Sequence, residues 1–227
     1  MVTAPLSLIA VKYGETEIKR SMAFADAVGD DRKVPISLIV YVIREGDRLI
    51  LVDAGCDTMP GYPLFLHVSP AKALADAGID PLAVTDLILT HSHHDHAEAA
   101  VHFKNATVYI HEQECAKASE KGFLPVAARV VAFGERLQVG PACILPWGGH
   151  SLGSSLVCLS YGGREYVMCG DECYCRVCLL EGRPTGVSKN PTQSRAFIER
   201  FSDPKYTVLP AHDETLLPGK LGFVKMI

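Results

Sequence analysis

The segment 91–96, HSHHDH, contains four of the nine histidines of the chain together with one aspartate. Imidazole nitrogens and carboxylate oxygens are donors that zinc and similar divalent ions accept. In an extended segment, residues two apart face the same side, so His91 and His93 can bind one ion together. Asp95 and His96 follow where the chain should bend into a helix, and they can bind a second ion beside the first. The spacing therefore predicts a metal site with two parts.

A purely structural role is the alternative for part of this segment. Asp95 is placed to cap the helix that follows, with Glu98 three positions later as a capping-box partner. A polar loop and a capped helix would explain that aspartate alone. They would not explain four imidazoles at the end of a buried strand, because their desolvation would bring no compensating interaction.

The elements that must position these residues follow from the apolar pattern. Helices are predicted at 69–78, 97–103, 112–119 and 191–201, the first with Ser69 as N-cap, Pro70 at its first position and Gly78 at its exit. Runs rich in β-branched and aromatic residues predict strands near 7–13, 36–43, 49–52, 86–90, 107–110, 142–147, 155–161, 165–170 and 206–210. Strands dominate both halves and helices come late in each, which indicates an α/β fold of two packed sheets with helices outside.

The bulk properties limit the function further. A length of 227 residues and the lack of a convincing linker predict a single domain over 1–227. The formal charge of −4 gives no basic surface, so neither nucleic acid nor an anionic membrane is expected as a partner. The first twenty residues fit neither a signal peptide nor a membrane span, which predicts a cytoplasmic location.

The histidine segment resembles a known signature. HSHHDH is similar to the H-x-H-x-D-H motif of the metallo-β-lactamase superfamily, which it matches at His91, His93, Asp95 and His96. His94 fills a free position of that motif, so the resemblance gives it no ligand role and makes it the replaceable member of the cluster.

Later segments extend the resemblance over nearly the whole chain. GGHSLGSS, CGDECY and LPAHDE resemble the family's next three elements, in the right order, and supply His150, Asp171 and His212. ILVDAG resembles the family segment whose aspartate supports the site from behind the ligands, here Asp53.

The resemblance implies an αββα sandwich of two mixed sheets that carries two zinc ions per chain, with iron, manganese or cobalt as other suitable metals. It assigns one ion to His91, His93 and His150, the other to Asp95, His96 and His212, and a bridging role to Asp171.

Among the branches of this superfamily, the chain most resembles the N-acyl homoserine lactonases. RKVPISLIVYVIREGDRLILVDAG is similar to their N-terminal region, and Tyr174 matches a tyrosine that follows the bridging aspartate by three positions and binds the substrate carbonyl. The resemblance implies a quorum-quenching hydrolase that opens a small lactone or ester through a metal-bridging hydroxide, and it is compatible with a homodimer. Tyr174 would donate to the oxyanion and Asp95 would pass a proton to the leaving alkoxide.

An apolar pocket for such a substrate has candidates in Met22, Phe24 and Phe65, with Leu66 beside them, although core packing is the alternative role for these residues. A glyoxalase II-like thioesterase is the second functional hypothesis, since several hydrolases share this scaffold. A non-catalytic, metal-stabilised binding protein is the third, and it is disfavoured because a structural zinc site normally closes with four protein ligands.

Four of the eight cysteines surround Asp171, and two roles are open for them. They are Cys169, Cys173, Cys175 and Cys178. One role is a further metal or iron–sulfur site, but their spacing, C-x₃-C-x-C-x₂-C, matches none of the common patterns. The other, which we favour, is a set of reduced thiols in a cytosolic protein.

Overall fold

Two β-sheets form the framework of the protein in a computed structural model that describes residues 5–125 and 129–227. The larger sheet contains β1 (Leu6–Lys19), β2 (Lys33–Glu45), β3 (Arg48–Val52), β4 (Asp86–Leu89), β5 (Thr107–His111), β6 (Val130–Phe133) and β12 (Gly222–Lys225), in the spatial order β12-β1-β2-β3-β4-β5-β6. The smaller sheet contains β7 (Leu137–Val139), β8 (Ala142–Pro146), β9 (Ser155–Tyr161), β10 (Arg164–Met168) and β11 (Tyr206–Leu209), in the order β11-β10-β9-β8-β7.

Both sheets are mixed, and their strand directions decide where the loops meet. In the larger sheet β3, β4, β5 and β6 are parallel, whereas β12, β1, β2 and β3 pair antiparallel. In the smaller sheet β10 and β11 are parallel, and β8 runs in the same direction because the antiparallel β9 lies between β8 and β10. The carboxyl ends of β8, β10 and β11 therefore lie at one edge of that sheet.

Six α-helices of the described residues are short and lie outside the sheets. They are α1 (Arg20–Ala23), α2 (Pro70–Asp76), α3 (His94–Ala97), α4 (Glu112–Glu120), α5 (Arg176–Leu180) and α6 (Pro191–Phe201). The predicted start of α2 is confirmed, because the Ser69 hydroxyl accepts the amide proton of Lys72. None of the helices in the described ranges has the length and hydropathy needed to cross a membrane.

The alternation of side chains along the strands places the core in three layers. In β2, Ile39, Tyr41 and Ile43 face the smaller sheet, and the intervening residues face away from it. The outer face of the larger sheet packs against helical residues that include Leu74 of α2. The outer face of the smaller sheet packs against α6 through residues that include Phe197. These layers confirm the predicted αββα sandwich.

Local predictions differ from the structure after β4 and at three short strands. The predicted helix over 97–103 is a 3-10 helix, Glu98–His102, and the turn of α-helix before it, α3, begins already at His94. Asp95 is not the N-cap of α3, because His93 occupies that position without a capping side chain. Glu98 instead accepts the amide proton of Asp57 at 2.6 Å. The strands β6, β7 and β12 were not predicted; each has only three or four residues.

Candidate metal centre

Seven potential ligands lie on loops that leave the carboxyl ends of four strands. The segment His91–His96 follows β4 of the larger sheet, and the other three ligands follow β8, β10 and β11 of the smaller sheet. The seven are His91, His93, Asp95, His96, His150, Asp171 and His212. The sandwich thus brings together the residues that the sequence predicts as metal ligands, although they lie up to 121 positions apart along the chain.

The first donor group consists of His91, His93, His150 and Asp171, whose donor atoms all lie within 4.8 Å of one another. Nε2 of His150 lies 2.9 Å from Nδ1 of His93 and 3.3 Å from Oδ2 of Asp171. Nε2 of His91 lies 3.8 Å from the same Oδ2. His93 therefore faces this group with Nδ1, whereas His91 and His150 face it with Nε2.

The second donor group consists of Asp95, His96 and His212. Oδ2 of Asp95 lies 3.8 Å from Nε2 of His96 and 3.5 Å from Nε2 of His212. Both nitrogens lie 3.0 Å from Oδ1 of Asp171. One oxygen of Asp171 thus faces each group, which is the arrangement that a carboxylate needs to bridge two ions.

Buried donor atoms without hydrogen-bond partners show that metal ions fit this centre. Such atoms in the described residues include Nε2 of His91, His96 and His212, and Oδ1 of Asp171. Leaving a buried polar group unpaired costs about 1–3 kcal/mol, so a cluster of such groups calls for an explanation. Neutral imidazoles and carboxylates in groups of three or four suit zinc, and iron, manganese or cobalt accept related donors.

Asp53 supports ligands of both groups. Its backbone lies in the left-handed region, at φ 61°, directly after β3. Oδ2 accepts from Nδ1 of His96 at 2.8 Å, and Oδ1 accepts from the amide and hydroxyl of Thr90 at 2.8 and 2.9 Å. The Thr90 oxygen lies 3.1 Å from Nδ1 of His91. Because the hydroxyl proton goes to Asp53, the oxygen is free to accept from His91.

Backbone carbonyls fix the other two buried rings. Nδ1 of His150 lies 2.7 Å from the carbonyl oxygen of Val187, and Nδ1 of His212 lies 2.9 Å from that of Ser37. A carbonyl only accepts hydrogen bonds, so each Nδ1 carries the proton and each Nε2 is left free for a metal.

Two buried glutamates that the sequence analysis missed join the ligand loops. Glu114 of α4 accepts from the amide and hydroxyl of Ser92, from the hydroxyl of Ser151 and from the amide of Gly153. It thereby links the loop of His91 and His93 to the loop of His150. The available signal was helical spacing, because Glu114 shares the buried face of α4 with Ala118, one turn later.

Glu172 performs a similar task beside Asp171. Its Oε1 accepts from the amides of Gly149 and His150 at 3.0 and 2.9 Å, and from the hydroxyl of Ser154. Burial raises its pKa, and these donors offset part of the effect. Its position next to a predicted ligand was visible in the sequence, but nothing there indicated that the side chain turns inward.

The environment shifts the pKa values of four of these histidines, two from each group, in opposite directions. Burial, together with the neighbouring imidazoles, holds the pKa of His91 well below its usual range and lowers the pKa of His93 to about 4. Burial also acts to lower the pKa of His96 and His212, but the nearby carboxylates together outweigh it, Asp171 foremost, so both pKa values are raised.

A cavity of about 350 Å³ opens beside the two groups. Tyr174 and Met22 line it, together with His93, Asp95 and Asp171. The Tyr174 ring stacks on His212, with centroids 5.3 Å apart and planes 21° apart. Burial holds the pKa of the Tyr174 phenol well above its usual range, so the phenol keeps its proton.

Three of the other residues considered in the sequence lie outside this cavity. Phe24 lines a neighbouring cavity of about 290 Å³. Phe65 is 43% exposed on the segment that pairs with Glu15, and Leu66 is 50% exposed. His94 belongs to neither donor group but lines the cavity.

The four clustered cysteines are free and buried between α5, α6 and the smaller sheet. The sulfur atoms of Cys175 and Cys178 lie 3.9 Å apart. Burial holds the pKa of the Cys173 thiol well above its usual range. These thiols contribute to the apolar core around Phe197.

Comparisons with known proteins agree with this geometry. Residues 39–212 match the family model described as the metallo-beta-lactamase superfamily. A probable metal-dependent hydrolase from Staphylococcus aureus has a similar structure, with a TM-score of 0.81 and 18% identity over 94% of this chain and 91% of that one. A quorum-quenching N-acyl homoserine lactone lactonase matches with a TM-score of 0.79 and 18% identity, over 99% of both chains. AidC, a dizinc quorum-quenching lactonase, matches with a TM-score of 0.72 and 17% identity, over 100% of this chain and 95% of that one. At these identities the structural matches show the shared fold.

Proposed function

Because the chain belongs to the metallo-beta-lactamase superfamily, we propose that it is a dinuclear zinc hydrolase that opens a lactone ring of the N-acyl homoserine lactone type. The observation that carries this proposal is the position of the Asp171 carboxylate between the two donor groups, with one oxygen toward each. A metal pair flanked by a cavity with a buried phenol suits the hydrolysis of a small carbonyl ester. Solved structures with this fold include quorum-quenching lactonases, which makes lactones the first substrates to test.

The first donor group would hold one zinc ion, the second would hold the other, and Asp171 would contact both. When bound, two zinc ions polarise a substrate carbonyl and lower the pKa of water to about 7. Buried hydrogen bonds that four of the imidazoles donate keep these rings in the orientation and tautomer that the ions require; the acceptors are Asp53, Thr90, Val187 and Ser37.

Tyr174 is proposed as the donor to the carbonyl oxygen. Its ring is fixed by stacking on His212, and its raised pKa keeps the phenol protonated, so it can donate to an oxygen that gains negative charge. The carboxylate of Asp95, which is partly exposed to the cavity, is proposed to move a proton to the leaving alkoxide.

The deciding experiment is a pH-indicator hydrolysis assay of zinc-loaded protein on N-acyl homoserine lactones, γ-lactones without an acyl chain, and S-acyl thioesters. We expect about two zinc ions per chain and the highest kcat/KM on a lactone. Faster hydrolysis of thioesters would favour the glyoxalase II-like alternative, and full activity after complete removal of metal would contradict the proposal.

The role of Tyr174 is tested by Tyr174→Phe, which removes only the hydroxyl. We expect kcat to fall about 10-fold or more while zinc content stays unchanged. Tyr166, which lies in the core between the sheets, provides the matched control through Tyr166→Phe. Equal kinetics for the Tyr174 variant and the unsubstituted enzyme would remove the phenol from the mechanism.

A further inference from the structure

The cavity beside the metal centre has two chemically different groups of lining residues. Apolar side chains come from β1, α1 and β2, through Ile18, Met22 and Ile36. Basic side chains come from α3 and from the end of α4, through His94 and Lys121. A neutral, wholly apolar ligand would match only the first of these groups.

The ammonium of Lys121 is held at the cavity by several contacts. Lys121 is the C-cap of α4, and its backbone amide donates to the carbonyl of Lys117. Nζ donates to the carbonyl oxygen of Ser92 at 3.0 Å and lies 5.5 Å from the centroid of the Phe123 ring. An ammonium has three donors, so two of them stay available. Ser92 lies between His91 and His93, which places this charge next to the first donor group.

Within residues 5–125 and 129–227, no carboxylate forms an ion pair with Lys121; lysines that do pair include Lys117, with Glu114. His94 shares the same aromatic support, since its ring meets Phe123 edge-on with centroids 5.3 Å apart. Its Nε2 lies 3.4 Å from the hydroxyl oxygen of Thr58, so the imidazole is oriented from both sides.

We propose that the substrate of this enzyme carries a carboxylate, and that Lys121 and His94 bind it while an apolar part contacts the wall of Ile18, Met22 and Ile36. This inference rests on the proposed hydrolase function and specifies its substrate class further, as a lactone or ester that also carries a carboxylate. A carboxylate compensates the ammonium for the water it loses, through charge-assisted hydrogen bonds. An apolar chain laid over the same ammonium would desolvate it without compensation.

Binding of inhibitors to the zinc-loaded protein tests the proposal without reference to turnover. The probes are linear dicarboxylates from butanedioate to octanedioate, each compared by calorimetry with the monocarboxylate of the same chain length. One carboxylate can bind at the metal centre, so the second reports on Lys121. We expect at least one dicarboxylate to bind about 10-fold or more tightly than its monocarboxylate, because a hydrogen bond to a charged group has this effect.

The variant Lys121→Met should bring this ratio of affinities close to one. Lys104→Met removes the same charge from an exposed position away from the cavity and should leave the ratio unchanged. His94→Phe should lower the ratio by a smaller factor and leave the zinc content at two ions. Raising the salt concentration should lower the ratio in the unsubstituted protein, since the attraction is electrostatic.

The two proposals fail in different ways. If every dicarboxylate binds like its monocarboxylate, or if Lys121→Met and Lys104→Met behave alike, the carboxylate site is overturned while the hydrolase function stands. If the ratio behaves as expected but no lactone is hydrolysed, the acidic ligand site stands and the proposed lactonase function falls.

Discussion

The two donor groups of the metal centre differ in what stands behind their imidazoles. In the first group, His91 faces a hydroxyl and His150 faces a backbone carbonyl, both of which are neutral acceptors. In the second group, His96 faces the carboxylate of Asp53 at 2.8 Å. A carboxylate behind the ring makes the imidazole a stronger base and a stronger ligand.

The opposite shifts of the histidine pKa values follow from the balance between burial and the nearby carboxylates, because the pKa of His212 is raised although its ring faces only the carbonyl of Ser37. Near the first group, burial acts on rings that are surrounded mainly by other rings, so the charged form is disfavoured. Near the second group, Asp171, Asp53 and Asp95 outweigh burial and favour the charged form of His96. His91 and His93 therefore meet a metal as neutral rings, whereas His96 and His212 must first release protons.

The largest expected effect comes from Asp53→Asn, which removes the charge behind His96. Asparagine tolerates the left-handed backbone of this position, so the turn after β3 should persist. We expect the affinity of the second group for zinc to fall about 10- to 100-fold, and the first group to lose less. Competition with a chelator, followed by counting the zinc retained per chain, measures this.

The matched control is Asp57→Asn, an aspartate of the same loop whose side chain contacts His102 rather than a ligand. Zinc content should stay at two ions in that variant. If Asp53→Asn lowered the zinc affinity of both groups equally, the carboxylate of Asp53 would support both groups alike, and the difference between them would not lie in this residue.

Thr90→Val is expected to lower zinc affinity by a smaller factor, and mainly in the first group rather than the second. The substitution keeps the shape of the side chain but removes the hydroxyl that joins His91 to Asp53, at 3.1 and 2.9 Å. Zinc affinity of the first group should fall about 10-fold, while the direct contact between His96 and Asp53 is kept. The chelator competition should then release the two ions in the reverse order; release in the same order as in Asp53→Asn would contradict this expectation.

Glu114→Gln should have a smaller effect, again confined to the first group. Burial alone would raise the pKa of Glu114, but hydrogen bonds and the charge of Lys117 hold it below its usual range, so the side chain is an ionised acceptor. A glutamine amide presents an NH₂ to one set of donors and leaves them unpaired, which costs about 1–3 kcal/mol of unfolding free energy. Zinc affinity should fall a few-fold.

Glu112→Gln is the control, because Glu112 is exposed two positions earlier on the same helix. Denaturant unfolding of the metal-free variants measures the stability difference. Equal stability of the two variants would mean that Glu114 does not hold the ligand loops together.

The sequence predicted the layers of the fold because they depend on period-two alternation, as in Ile39, Tyr41 and Ile43. It predicted the seven ligands through a motif and an order of elements, and the structure brings those residues together. It did not predict the buried roles of Glu114 and Glu172, since their partners are amides and hydroxyls of distant loops. Of the predicted pocket residues, Met22 lines the cavity beside the metal centre and Phe24 lines its neighbour, because apolar residue type alone does not say which cavity a side chain faces.

The smallest effect is a difference in proton release between the two groups. At pH 6.5, the ordinary pKa of histidine, the raised pKa values of His96 and His212 mean that each is more than half protonated in chelator-treated protein. His91 and His93 have lowered pKa values and are mostly neutral there. Zinc binds only neutral imidazole, so filling the second group should release more than one proton from these two rings, and filling the first should release fewer. As the pH falls from 8 to 6, zinc affinity of the second group should therefore weaken more steeply.

Calorimetric titrations in two buffers of different ionisation enthalpy measure the number of protons released on zinc binding, and Asp53→Asn should reduce that number for the second group alone. Equal release from both groups would mean that the charge behind His96 does not set its proton affinity.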